Sequence, residues 1–235
     1  MATFRTRFED LPAEFAVFPL PGVLLLPRGR LPLNIFEPRY LAMTEDALTS
    51  GRMFAMIQPD PALPETPNGP PLYRVGCLGR LTSFSETEDG RLLITLTGLA
   101  RFSIASEIDM RRGYRRVIGD FSRYRADMNE PDDTAIDRAG LLDALRGYFA
   151  RRGVEPNWDA VNRLADDALV VTLAMVCPFE PIEKQALLEA QSEPERADTL
   201  LALLRMGAAE PPGSAGGPSG QSDDPDSDEP RRRPS

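Results

Sequence analysis

Histidine is absent from all 235 residues. Serine–histidine and cysteine–histidine catalysis, histidine-based zinc sites and any histidine pH switch are excluded with it. Lysine occurs once, at Lys184, against 26 arginines, so amine chemistry has a single candidate. The two cysteines, Cys77 and Cys177, lie 100 positions apart in no CxxC or CxH pattern. That spacing makes neither a disulfide framework nor a metal cluster, and reads as two small buried hydrophobes in a reducing compartment. Aromatic residues make up 7% of the chain, so aliphatic side chains must supply most of a core. No segment approaches the ~20 apolar residues of a membrane span, and the first fifteen residues have no long apolar core after their positive charges. The expectation is a soluble, cytoplasmic protein that needs no membrane. A net charge of −9 argues against a nucleic-acid-coating role, although it leaves room for a local basic patch.

What is present falls into three stretches. From about Val17 to Phe121 the apolar period is mostly two, the signature of strands. Leu92, Ile94 and Leu96 alternate with Leu93, Thr95 and Thr97, and Asp89-Gly90 sits between two such runs as a hairpin turn. Glu14–Phe18, Met53–Ile57, Tyr73–Phe84 and Tyr114–Phe121 are further strands. Gln58 to Pro71 holds six prolines, which cannot donate to a ladder, so it reads as an exposed loop. One helix interrupts the strands: Pro38 suits its first turn, Phe36, Tyr40, Met43 and Ala47 share a face, and Gly51 ends it. Short strands with one helix predict a small barrel that the helix plugs.

From about Thr134 to Met206 the period is helical. Leu141, Leu142, Leu145, Tyr148 and Phe149 form one stripe stopped by Gly153, and Trp158, Val161 and Leu164 form another after the cap Asn157. Ala168–Val176 is apolar almost all round, as in a helix buried among neighbours. Pro181 opens the next helix, and Ser192-Glu193-Pro194-Glu195 has capping-box spacing before the last. After Ala208, proline, glycine, serine and aspartate dominate, and such a composition cannot offset its ordering entropy. The expected organisation is therefore a β-rich domain over residues 1–124, a helical domain over 125–207 and a disordered tail over 208–235.

A set of motifs adds a family. Phe18-Pro19-Leu20-Pro21-Gly22-Val23-Leu24-Leu25-Leu26-Pro27 leads into Leu31-Pro32-Leu33-Asn34-Ile35-Phe36-Glu37-Pro38-Arg39-Tyr40. Then come Val75-Gly76-Cys77-Leu78-Gly79, Gly90-Arg91 with Gly98-Leu99-Ala100-Arg101-Phe102, and Glu183-Lys184-Gln185-Ala186-Leu187-Leu188-Glu189 followed by Glu195-Arg196. In this order they resemble the N-terminal, substrate-binding domain of the Lon ATP-dependent protease, over roughly residues 14–206. The resemblance implies an α+β fold, a PUA-like β-pseudobarrel with one helix followed by a helical bundle. It implies no cofactor and no metal. The nucleotide-hydrolysing and Ser–Lys peptidase modules of the full protease have no counterpart in the chain. No G-x(4)-G-K-[ST] loop occurs, and no lysine follows Ser219, whose Gly217-Pro218-Ser219-Gly220 setting superficially resembles that of a catalytic serine.

Candidate contacts for a bound polypeptide are Val23, Leu24, Leu25 and Leu26, as an exposed aliphatic edge open to strand addition, with Phe36, Glu37, Arg39 and Tyr40. The blander reading makes Val23–Leu26 core and Phe36 and Tyr40 barrel plugs. It has Glu37 compensate the helix dipole and Arg39 pair with a strand residue. Glu183 reads as a cap, and nothing near Lys184 in sequence lowers its pKa. Asp132-Asp133 and Asp166-Asp167 are more economically caps than an acid/base pair. Arg111 and Arg112 fall in a turn, with Arg115 and Arg116 on opposite faces of a strand. They form either a solvated rim or a patch for an anionic partner such as RNA. The leading expectation is a non-catalytic module that binds unfolded or specific client proteins, alone or for a separate ATP-dependent protease. The alternative is an RNA-binding PUA-like protein.

Overall fold

A computed structural model describes residues 6–130 and 136–209. The tail beyond Ala209, with Ser219, and the Asp132-Asp133 pair lie outside the described residues. Six strands, β1 (Glu14–Pro19), β2 (Arg30–Ile35), β3 (Met53–Ile57), β4 (Val75–Glu86), β5 (Leu92–Arg111) and β6 (Tyr114–Asp120), form one mixed sheet. Its order is β2-β5-β4-β3-β1-β6, and β5 pairs with β6 as well, which closes the ring. The closure depends on the length of β5. Its first part, up to Ser103, pairs with β4, and its second, Ser103 to Arg111, with β6. A register shift between Ile104 and Ser106 accompanies the change of partner, as a bulge bends a strand around a barrel corner. All pairings are antiparallel except β1 with β3.

The alternation along β5 is realised: Ile94 and Leu96 are buried, while Leu93 is exposed. Gly90 takes the positive φ that the β4–β5 turn requires. The β5–β6 turn is Arg112-Gly113, both with positive φ, so Arg111 ends the strand and is not part of the turn. Helix α1 (Pro38–Thr49) starts on Pro38 and buries Tyr40, Met43 and Ala47. Tyr40 stacks on Phe18 with ring centroids 4.1 Å apart. Phe36 departs from expectation: it precedes the helix, lies off that face and is 61% exposed. Two apolar clusters result. Phe15, Val17, Leu78, Phe102 and Val117 belong to one that lies wholly within the strand region.

The larger cluster extends from the sheet and α1 into the helices. These are α2 (Arg138–Arg152), α3 (Trp158–Arg163), α4 (Asp166–Val176), α5 (Pro181–Glu189) and α6 (Glu193–Ala209). Capping follows the sequence signals. The Ala160 N–H donates to Asn157, Gly153 ends α2 in the left-handed region, and the Glu180 N–H donates to Glu183 at 2.8 Å. Leu173, Leu187 and Leu200 from the helices join Phe54 and Leu96 from the strands in this one cluster, so the helical half shares its core with the sheet. The expected boundary at residues 124 and 125 falls inside the short 3-10 segment Ser122–Met128. Helix α6 runs two residues past the expected end of the helical half.

Val23–Leu26 takes the core reading and not that of an open edge. It is an extended connector between β1 and β2 and not a strand, and Leu24, Leu25 and Leu26 are buried. It crosses the sheet at Gly98: the Arg28 N–H donates to Gly98 O and the Gly98 N–H to Gly29 O, each at 2.9 Å. A Cβ on Gly98 would stand 2.0 Å from Leu26 O, so only glycine lets the backbones approach this closely.

Candidate functional site

The Glu183-Lys184-Gln185 run of α5 fastens the helices to the barrel. Lys184, expected to lack a burying environment, is only 6% exposed, and burial lowers its pKa. Its ammonium donates to Gly22 O at 2.7 Å and Met175 O at 3.4 Å, so its hydrogen bonds are spent on backbone carbonyls. Gln58 accepts from the Gly22 N–H at 3.1 Å and donates to Pro181 O and to Gln185. Gln185 in turn donates to Val75 O at 3.1 Å. Buried polar groups satisfied in this way hold the connector, β4 and α5 in one geometry. Both thiols are free and buried, and burial pushes Cys177 up to about 12 and raises Cys77 as well. Neither is suited to nucleophilic work near neutral pH.

The surface that this frame presents centres on β2. Among the described residues β2 pairs only with β5, which leaves one edge free. Proline within a strand needs its nitrogen turned away from the ladder, so Pro32 faces that free edge and blunts it. Beside the edge runs a groove of about 350 Å³ between Leu31 and Pro32 of β2 and Val171, Met175 and Val176 of α4. Gly29 lets the walls meet, because a Cβ there would stand 2.3 Å from the Met175 sulfur. Around Pro32 the apolar surface continues onto the outer face of the sheet, past Asn34 to Leu93. It ends near Phe36, whose ring lies 5.9 Å from the Arg91 guanidinium. Val176 is 64% exposed, and Leu93 is also exposed, so an apolar strip runs from α4 over the β2 edge to the β4–β5 hairpin.

Of the residues anticipated for polypeptide contact, the structure brings Phe36 to this strip and leaves Glu37 and Arg39 on the surface just beyond it. Arg39 pairs with Glu37 itself at 2.8 Å, not with a strand residue, and its guanidinium lies over the Tyr40 ring. Leu24, Leu25, Leu26 and Tyr40 are buried, and Val23 is half-buried against the core, so they offer no open edge. Leu93 and Val176 were missed. The outward leucine in an otherwise alternating strand was the available signal for the first. For Val176, only the place where α4 leaves its neighbours decides.

The basic cluster is neutralised where it stands. Arg111 pairs with Asp46 at 3.2 Å and Arg112 with Glu45 at 2.8 Å and Asp46 at 3.0 Å. The Tyr114 hydroxyl donates to Asp46 at 2.6 Å. That bond is the main cause holding the Asp46 carboxyl below its usual range. Arg115 and Arg116 point to opposite faces, and Arg115 is buried on Glu107 and Pro70 O, which ties down the Gln58–Pro71 loop. Arg116 pairs with Glu14 at 2.9 Å. Four guanidiniums that already face carboxylates do not make a phosphate-binding patch.

A mixed, ring-closed sheet with a fused helical half is also the fold of two solved Lon N-terminal domains. One is the Lon N-terminal domain protein of Xanthomonas campestris (TM-score 0.56, 21% identity, 80% of this chain and 97% of that one). The other is the N-terminal domain of Mycobacterium avium complex Lon protease (TM-score 0.55, 16% identity, 84% and 98%). In sequence, the chain is 26% identical to the Lon protease of Elusimicrobium minutum over 83% of its own length and 24% of that protein. It is 23% identical to that of Flavobacterium johnsoniae over 54% and 16%. It thus spans a quarter or less of the curated relatives it matches, in their N-terminal part. The family model for the ATP-dependent protease La (Lon) substrate-binding domain matches residues 14–206, and the chain belongs to that family. No helix among the described residues is long and apolar enough to cross a membrane.

Proposed function

We propose that this chain is a non-catalytic recognition module. It captures extended apolar segments of unfolded or client proteins along the strip formed by α4, the β2 edge and the β4–β5 hairpin. The supporting observation is that strip itself, an exposed apolar band beside an unpaired strand edge, in a member of a substrate-binding family. Backbone pairing to β2 is limited by Pro32, which has no N–H to give. Apolar contact at Val176, Leu93 and Phe36 therefore carries most of the affinity, and such contact tolerates many sequences. Captured clients would be passed to an ATP-dependent protease, a role that membership of a protease's substrate-binding family supports.

The test is binding to a permanently unfolded protein, reduced and alkylated, with its disulfide-intact form as control. The unfolded form is expected to bind preferentially. Phe36→Ser and Val176→Ser should each weaken binding about tenfold, since burying such a side chain contributes roughly 1.5–3 kcal/mol when complete. Both positions are exposed, so stability should stay within about 0.5 kcal/mol. Equal affinity for the folded control, or unchanged affinity in both variants, overturns the reading.

A further inference from the structure

The outer face of the sheet changes character along β5. Strand register sets three rows across β2, β5 and β4. The first is Asn34, Leu93 and Ser85, the second Pro32, Thr95 and Ser83, and the third Arg30, Thr97 and Arg80. Residues two apart on a strand share a face, and the register shift between Leu81 and Ser83 keeps Arg80 on the same face as Thr97. The first row is part of the apolar strip, whereas the third is basic. A cleft of about 470 Å³ opens at the third row, with Arg52 of the α1–β3 turn and Arg28 also in its walls. Arg30 and Arg52 are exposed, and their guanidiniums make neither a hydrogen bond nor an ion pair among the described residues. Arg80 gives one N–H to Thr6 at 2.8 Å and has no carboxylate partner among them. The carboxylates nearby are Asp127 and Glu130 in the cleft wall and Asp167 across the α4 groove. Asp127 is held by Arg101, and Arg28 by Glu193. Neither Glu130 nor Asp167 forms an ion pair with Arg30, Arg52 or Arg80. Three guanidiniums against two carboxylates leave this end of the face positive, in a chain whose net charge is −9.

We propose that the outer face selects extended polypeptide segments in which an acidic residue lies about four positions from an apolar one. The selection rests on capture at the strip and adds a charge preference to it. A segment that lays an apolar side chain on Leu93 and runs along β5 brings the residue four positions away, about 14 Å off, over Thr97. There it meets Arg30 and Arg80, whose backbones stand roughly 10 Å apart on the two flanking strands, close enough for both long side chains to converge on one carboxylate. A chain of net negative charge repels an acidic segment elsewhere, so this positive end also fixes which way round the segment lies. Single-stranded nucleic acid fits the face less well. The three rows hold no aromatic ring for bases to stack on, and the adjoining surface is aliphatic.

The experiment measures fluorescence anisotropy of short labelled peptides with the full chain. Each peptide has an apolar centre around one leucine and, four positions away on both sides, aspartate, asparagine or lysine. At low salt the aspartate peptide is expected to bind about fivefold more tightly than the asparagine peptide, and the lysine peptide more weakly than either. The preference should shrink towards none at about 0.5 M salt, where exposed charges are screened. Arg30→Gln combined with Arg80→Gln should abolish the preference and leave the asparagine peptide's affinity unchanged within about twofold, which also shows that the variant is folded. Arg30→Gln alone, at an exposed side chain with no partner, should remove part of it. Equal affinity for the aspartate and asparagine peptides overturns the proposal and leaves capture at the strip standing. A preference that survives in the double variant, or a single-stranded oligonucleotide that binds more tightly than the aspartate peptide, overturns it as well. Failure of all three peptides to bind overturns capture at the strip, and the charge preference with it.

Discussion

Replacing Arg101 by methionine tests the reasoning about what joins the helices to the barrel. Arg101 lies in the middle of β5, 5% exposed, and its guanidinium makes a two-point pair with Asp127, itself nearly buried. It also caps Leu188 O and Ala190 O at the end of α5 and lies over the Tyr124 ring at 4.7 Å. Methionine retains most of the side chain's volume but leaves the buried Asp127 carboxylate without its counter-charge, with only the residue-101 backbone N–H still donating to it at 2.9 Å, and takes the guanidinium donor from two carbonyls. Breaking a buried pair by removing one member costs about 3–5 kcal/mol. Out of a typical total of about 5–15 kcal/mol, that is a large fraction of stability. Arg112→Met removes a similarly close pair with Glu45 and Asp46, but at the surface, where solvent screens it, and should cost far less than Arg101→Met. Urea denaturation followed by circular dichroism and by Trp158 fluorescence gives both losses. The double variant Arg101→Met with Asp127→Leu should recover part of the loss, because no charge is then buried alone. A loss below about 1 kcal/mol for Arg101→Met, or one equal to that of Arg112→Met, refutes the argument.

Two other expectations use the same measurements. Gly98→Ala places a methyl 2.0 Å from Leu26 O, against backbone that cannot swing away. It should destabilise by more than about 2 kcal/mol, whereas Gly22→Ala, with open space around it but a positive φ, should cost only about 1 kcal/mol. Tyr114→Phe removes the hydroxyl that most lowers the Asp46 pKa. A carboxylate whose folded pKa is depressed contributes stability above its unfolded pKa and loses it as pH falls through the folded value. The stability gap between wild type and Tyr114→Phe should therefore be largest above about pH 4 and shrink on further acidification. A gap that does not change with pH contradicts the Asp46 assignment.

Periodicity, caps and turn residues, read along the chain, were enough for the strand-then-helix order, the Asp89-Gly90 hairpin, Pro38 and Pro181 as helix starts and Gly153 as a stop. These features depend on backbone preferences and on neighbours within four residues, so local sequence determines them. The ordered motifs also placed the chain in its family, since each marks a glycine, proline or buried position that the fold requires. Tertiary structure alone decided what depends on partners far away in sequence. Val23–Leu26 has the apolar composition of a strand, but its crossing at Gly98, more than 70 positions away, makes it buried connector. Arg111 to Arg116 looked like a basic patch because Glu14, Asp46 and Glu107 meet it only in the folded sheet. Arg196 and Lys184 show the converse. Both sit in helices of ordinary charged composition, and only the packing of α5 and α6 against the barrel removes them from water. The apolar strip depends on where β2 ends the sheet and α4 stops, which is set by the closure of β5 on β6 and not by any residue of the strip itself.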